Sequence, residues 1–296
     1  MIKKIVSAEP FPHIIIDDFL SQELLKSLIE STDVLPKYFH HKANKGKRLA
    51  VVFGSKSYRK LIKEQRMFSK LHSNIIDEVF LSEVYDAFAD KFHKFGLKKE
   101  YQNLKKSPLK ASKSEFFVSE NILKRIFVKL VYNPIIRGKQ IRIYLRKLEA
   151  MLFGTYLYPS ISISRSTGGY QEPAHVDARH KVFVGLIYLD DMVDEGELFL
   201  YNNTNHSIYD SPMYPDNEEL TLFQTVYPKK NRLVLFLNSN NAYHGTGSFS
   251  GERKFIYFSF AAAGVESAFE SKFSTLLGDR NKEEDARSNQ KIPGKI

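Results

Sequence analysis

Five short runs of β-branched and aromatic residues constrain this chain more than anything else in it: "YLYPSISISR" from 156, "KVFVGLIYL" from 181, "ELFLY" from 197, "RLVLFL" from 232 and "KFIYFSF" from 254. Each has the length of a strand. Clusters of Asp, Glu, Asn and Gly separate them, residues that leave strands and enter turns. Several short strands so punctuated predict a sandwich or a barrel over the second half of the chain.

The first half reads differently. "PFPHIIIDDFL" at 10–20 predicts a short buried strand and then a helix. Ser21 is its N-cap, and Leu24, Leu25, Leu28 and Ile29 lie at helical spacing. Further on, "FSKLHSNIIDEVFLSEVYDAFADKF" predicts helix, with Leu71, Ile75, Ile76, Val79 and Phe80 along one face. The stretch 97–113 is Lys-rich and apolar-poor and reads as an exposed loop. Beyond it, Ile122, Leu123, Ile126, Phe127, Leu130 and Val131 form an apolar stripe, and "IRIYLRKLEAML" predicts a second basic helix. These observations divide the chain into a helical and strand support at 1–90, a basic helical insertion at 91–150, a strand-rich core at 151–264 and a polar tail at 265–296.

Charge follows the same division. The net charge is +10. Residues 91–150 hold 16 Lys and Arg against 4 Glu and no Asp, a balance of +12, while the remainder balances 28 basic against 30 acidic residues. A positive segment on a near-neutral protein is either a solvated helix face or an attractor for nucleic acid, an acidic glycan or an anionic membrane surface. The apolar run near the N-terminus is cut by His13, Asp17 and Asp18, and no run approaches the ~18 apolar residues of a membrane span. The expectation is a cytoplasmic protein with no transmembrane segment. With no cysteine in the chain, any metal must be held by His, carboxylate or carbonyl groups.

One motif invites a metal. "PAHVDARH" places His175 and Asp177 two positions apart, and in an extended chain residues i and i+2 share a face. Alone, such a pair is more often an ordinary polar turn. A third donor, His244, follows the strand "RLVLFL" and precedes the last strand, so a folded sheet can bring it close. Two imidazoles and one carboxylate are the facial triad of non-haem Fe(II) oxygenases, which leaves coordination positions open. Arg253 lies nine residues after His244, on the same face as Phe255 and Tyr257. A buried guanidinium suits a carboxylate, so a keto acid chelating iron at one end and paired with Arg253 at the other fits the spacing. Lys254 is the alternative cation, although alternation turns it outward. His180 falls on the opposite parity from His175, and His40, His41 and His206 lie in loop-like contexts. Glu197 either ends a turn or lines the pocket. Asn238, Asn240 and Asn241 read as loop caps.

"HVD", then "YLDD…EGELFLY", then "NRLVLFLNSNNAYHG…GERKF" resemble the core of Fe(II)/2-oxoglutarate-dependent dioxygenases, and the prolyl-4-hydroxylase-like branch in particular. The likeness covers 154–262 well and 10–30 moderately, and the basic insertion not at all. The resemblance implies an α+β fold: a double-stranded β-helix (jelly-roll, cupin-like) core flanked by N-terminal helices and the insertion. It implies that His175, Asp177 and His244 bind Fe(II) and that Arg253 binds 2-oxoglutarate. It also implies a hydroxylase that consumes O2, with ascorbate as an optional reductant, acting on a residue of a protein, such as prolyl, or on a small metabolite. Many relatives carry a Tyr nine residues before the first His. This chain has Ser166 there, leaving Tyr158, Tyr170 and Tyr188 as candidates for that contact. The competing reading is a non-catalytic module that binds an acidic polymer through 91–150. A third reading keeps the triad but gives it Mn(II) or Co(II).

Overall fold

The computed structural model describes residues 6–43, 47–102, 157–204, 211–262, 265 and 267–270. Most of the basic insertion, with its stripe from Ile122 to Val131 and its second helix, lies outside the described residues, as do His206 and the tail beyond 270.

The N-terminal segment folds as its sequence predicts, into β1 (His13–Ile16) and α1 (Gln22–Glu30). Ser21 Oγ accepts the Leu24 N–H at 3.3 Å, a cap contributing about 1 kcal/mol, and Leu24, Leu25 and Leu28 are buried. A small antiparallel pair follows, β2 (His41–Ala43) and β3 (Arg48–Val52), then the helices α2 (Lys56–Glu64), α3 (Arg66–Ile75) and α4 (Glu78–Phe88). The apolar stripe read through 71–80 as one face is broken. Asp77 Oδ1 accepts the Val79 N–H at 2.7 Å and starts a new helix. The break resets the helical phase: Leu71, Ile75 and Ile76 stay buried, whereas Val79 is 67% exposed.

Two boundaries also move. Residues 97–102 are not an exposed loop. Leu97 is buried and bridges to Phe269, and Tyr101 is buried on the short helix α5 (Lys99–Gln102). Ala268 and Phe269, expected in a polar tail, are fully buried. A few apolar anchors dock these segments, and average composition does not reveal them.

Eight further strands make up the core: β4 (Leu157–Thr167), β5 (Glu172–His175), β6 (Lys181–Tyr188), β7 (Leu198–Asn203), β8 (Leu220–Val226), β9 (Leu233–Leu237), β10 (His244–Thr246) and β11 (Glu252–Ala262). They form two antiparallel sheets, one of seven strands in the order β1-β9-β6-β11-β4-β3-β2 and one of four in the order β5-β10-β7-β8. From β4 onward the chain passes back and forth between them. The architecture is therefore mixed helix and sheet, with a cavity between the two sheets.

The two faces of the large sheet meet different partners. Its outer face meets the helices: Tyr85 and Phe88 stand 5.2 and 5.6 Å from the Phe183 ring, and Phe80 stands 6.0 Å from Phe258. Gly185 is needed there, because a Cβ would sit 2.2 Å from the Phe258 ring. Its inner face carries Val184, Leu186, Tyr188, Arg253, Phe255 and Tyr257 toward the cavity. Every residue of β9 is buried, as a strand covered on both faces requires. No helix among the described residues is long and apolar enough to cross a membrane.

Candidate active site

A cavity of about 330 Å³ lies between the sheets, and His175, Asp177, His244 and Arg253 all line it. The small sheet supplies the imidazoles. His175 ends β5 and His244 opens β10, and the two residues are directly paired across these strands, with ring centroids 4.5 Å apart. Each ring is tied to a carbonyl two residues earlier: His175 Nδ1–H donates to Pro173 O at 2.8 Å and His244 Nδ1–H to Ala242 O at 2.9 Å. A carbonyl can only accept, so Nδ1 carries a proton in each ring, and in the neutral tautomer the lone pair is then on Nε2. Burial, together with the His175 ring beside it, pushes His244 down to about 4, which leaves it neutral at neutral pH.

Asp177 follows β5 in extended chain. Asn238 holds that segment, donating from Nδ2 to the carbonyls of Ala178 at 3.2 Å and Lys181 at 3.1 Å. The Asp177 carboxylate is divided between two partners. Lys181 Nζ donates to Oδ1 at 2.8 Å and the Tyr257 hydroxyl to Oδ2 at 2.8 Å, and Lys181 also donates to Tyr257. Burial alone would raise this carboxyl, but the Lys181 ammonium beside it outweighs burial and holds the group below the usual carboxylate range. Turned this way, Asp177 does not close a cage with the imidazoles. Among the described residues no three His, Asp or Glu side chains are gathered tightly enough to hold an ion.

The opposite end of the cavity is cationic. Arg253 is 4% exposed and is packed against the rings of Phe249 and Phe255, each 5.1 Å from its guanidinium carbon. Nη1 donates to Gly196 O at 2.6 Å, while the buried Nε has no partner. Burial lowers its affinity for the proton, offset in part by the tyrosines Tyr188 and Tyr170. Lys254 does point outward, to Glu252 at 3.5 Å. Of the tyrosines suggested for the Ser166 vacancy, Tyr170 and Tyr188 line the cavity and Tyr158 does not. Burial raises both lining phenols, so they remain protonated donors. His180 and Glu197 are not among the lining residues, and His40 and His41 are exposed. Asn240 and Asn241 hold the loop before His244, through Asn240 Nδ2 to Glu270 O at 2.7 Å and Asn241 Oδ1 from Ser239 Oγ at 2.7 Å.

Three charged lining residues escaped the sequence reading: Glu172, Lys181 and Arg48. Lys181 lies four residues after Asp177 in an ordinary-looking strand start. Arg48 comes from β3, more than a hundred residues before the His175–Asp177 motif, and no local signal marks it.

No family model matches the chain, and no curated protein matches it in sequence. Solved structures do. A prolyl 4-hydroxylase from Phytophthora capsici shares 16% identity over 93% of this chain and 68% of its own, with a TM-score of 0.45. A prolyl hydroxylase from Trichoplax adhaerens, solved with a hypoxia-inducible-factor peptide fragment, shares 12% over 84% and 83%, with a TM-score of 0.41. The α-ketoglutarate-dependent carbocyclase SnoK from nogalamycin biosynthesis shares 10% over 90% and 86%, with a TM-score of 0.46.

Proposed function

We propose that strands β4–β11 wind as a double-stranded β-helix and that the protein is an Fe(II)- and 2-oxoglutarate-dependent dioxygenase. It would hydroxylate a C–H bond of a protein residue, such as prolyl, or of a small metabolite. One observation carries this reading: a single cavity has two imidazoles, each bonded through Nδ1 to a carbonyl, beside a carboxylate at one end, and a buried arginine without a carboxylate partner at the other.

Two imidazoles and a carboxylate are the donor types a ferrous ion takes, with Asp177 having to turn from Lys181 and Tyr257 to join the imidazoles. His175 and His244 would give Nε2, and their Nδ1–H bonds to Pro173 and Ala242 fix tautomer and ring plane, as partners behind metal ligands do. Asp177 would give one oxygen. Because both its oxygens are engaged, a bound cation must take over part of what the Lys181 ammonium now supplies. A ferrous ion held there would, with 2-oxoglutarate and O2, supply oxidative decarboxylation, one oxygen atom going to succinate with release of CO2 and the other to the substrate as a hydroxyl.

The chain's own residues do the rest. Arg253 would fix the distal carboxylate of the acid and so orient its keto end toward the imidazoles. The protonated Tyr188 hydroxyl stands near that cation and would donate to the same group, whereas the Tyr170 hydroxyl donates to Glu172 Oε2 at 3.3 Å. Val184, Leu186, Leu198 and Phe255 form an apolar wall that keeps water from the reacting end. A volume near 330 Å³ suits the co-substrate and the reacting group of a substrate, so a larger substrate would rest at the cavity mouth.

The test is an anaerobic titration of metal-free protein with Fe(II) and then 2-oxoglutarate, following the visible charge-transfer band of a keto acid chelated to ferrous iron. The band is expected in the wild type. Its absence at saturating iron and keto acid overturns the reading.

A further inference from the structure

The inner face of β4 is a stripe of serines. Ser162, Ser164 and Ser166 alternate inward, opposite Tyr257, Phe255 and Arg253 on β11 and opposite Val52, Ala50 and Arg48 on β3. Residues opposite each other on adjacent strands have Cβ atoms about 5 Å apart and share a face. Arg48, Ser166 and Arg253 therefore form one row across three strands, an arginine on each side of a serine.

The small side chains of this stripe matter. A strand neighbour lies about 4.8 Å away, so a large residue on β4 would block Arg48. With serine there, the Arg48 side chain crosses the strand. Its Nε and Nη2 donate to Ser164 Oγ at 3.3 and 3.1 Å, and its guanidinium lies 5.1 Å from the Phe255 ring. That is the same ring, at the same distance, on which Arg253 rests. Two guanidinium groups thus converge on one phenylalanine, and among the described residues neither is ion-paired with a carboxylate. Two buried donors in the same row, Ser166 Oγ and Arg253 Nε, have no hydrogen-bond partner. Like charges brought together with idle donors between them are costly unless an anion joins them.

We propose that Arg48 and Arg253 form a two-arginine clamp for the distal carboxylate of a dicarboxylic 2-oxo acid, with Arg48 reaching over Ser166 into space that a larger side chain at 166 would fill. This rests on the dioxygenase reading and adds a co-substrate-binding and specificity-determining residue to it. The clamp selects a dicarboxylate over a 2-oxo monocarboxylate, because only the former reaches both cations.

The experiment measures dissociation constants under anaerobic conditions for Fe(II), for 2-oxoglutarate and for 2-oxobutyrate, which keeps the chelating end and lacks the distal carboxylate. The proteins are wild type, Arg48→Gln, Arg48→Lys and Arg253→Gln, each checked for an unchanged melting temperature. Loss of one charge-assisted contact predicts 2-oxoglutarate binding about tenfold to a hundredfold weaker in Arg48→Gln. Fe(II) and 2-oxobutyrate binding should hold, and Arg48→Lys, which keeps the charge without the fork, should fall between. Should Arg48→Gln fail to fold, Arg48→Lys alone decides by whether it discriminates the two acids less than wild type. Undiminished 2-oxoglutarate binding in the Arg48 variants, with binding lost in Arg253→Gln, overturns the clamp and leaves the dioxygenase reading standing. A wild type that binds Fe(II) but neither acid overturns both.

Discussion

On the small sheet each imidazole is fixed by a carbonyl two residues before it, whereas on the large sheet Arg48 is fixed by Ser164 of a remote strand and Arg253 by the Gly196 carbonyl of a remote loop. His175 and His244 need Pro173 and Ala242 for their tautomers and one strand pairing to meet. Arg48 and Arg253 need β3, β4 and β11 in register, with serine between them. The local device tolerates sheet distortion, because its hydrogen bonds stay within a turn. The remote device fails if either strand slips by one residue, which would send the arginine to the opposite face. Asp177 stands between the two: its carboxylate belongs to the metal end by chemistry, but its partner Tyr257 comes from β11 of the large sheet.

The largest expected effect separates the two walls outright. His175→Ala should weaken Fe(II) binding by more than about a hundredfold and abolish the charge-transfer band, since even partners behind a ligand are worth 10- to 100-fold. Isothermal titration with Fe(II) measures it, and retained iron affinity would break the assignment of the small sheet. Arg253→Ala should do the converse. Iron affinity holds while the 2-oxoglutarate dissociation constant rises by about thirtyfold to a hundredfold, or roughly 2–3 kcal/mol. A parallel loss of iron would mean the walls are not independent.

Lys181→Met probes their junction. The ammonium sits 2.8 Å from Asp177 Oδ1, where it competes with a cation for the same oxygen, so its removal should tighten Fe(II) binding by about tenfold. Weaker binding instead would show that Lys181 orients the carboxylate more than it competes for it.

The smallest effect concerns the tie between the sheets. His13 on β1 meets Gln224 on β8 at 3.1 Å. Burial holds its pKa below 6.5, against the pull of the Phe11 carbonyl and Gln224. As pH falls through 6.5, the unfolded chain takes up a proton that the folded one does not, so stability declines below that pH by at most about 1.4 kcal/mol per unit. His13→Gln should flatten that slope in urea unfolding measured from pH 7 to pH 5. An unchanged slope would assign the loss to other groups, His72 among them, which burial also lowers.

Much of this was legible in the sequence for physical reasons. Long apolar runs such as β9 and β11 announce strands because burial demands them. The Ser21 cap is visible because a helix start needs a side-chain acceptor. Alternation placed Arg253, Phe255 and Tyr257 on one face and Lys254 on the other. Other features carried no local signal. Strands β5 and β10 are four and three residues long, too short for a period to show, and Asp77 looks like any helix-face acid until the chain is seen to restart there. Lys181 and Arg48 have the composition of surface residues, and only the partners across the cavity distinguish them.

The sequence by itself determined which residue types the site contains and on which face of its own strand each lies, because covalent geometry fixes a period of two along an extended chain. It also determined that no thiolate takes part. The tertiary structure alone decided which faces meet. It set Arg48 opposite Ser166 and Arg253, gave the Asp177 carboxylate to Lys181 and Tyr257, and docked residues 97–102 and 268–269 onto the core. Those outcomes depend on strand register and sheet stacking, which many residues fix jointly and no single segment encodes.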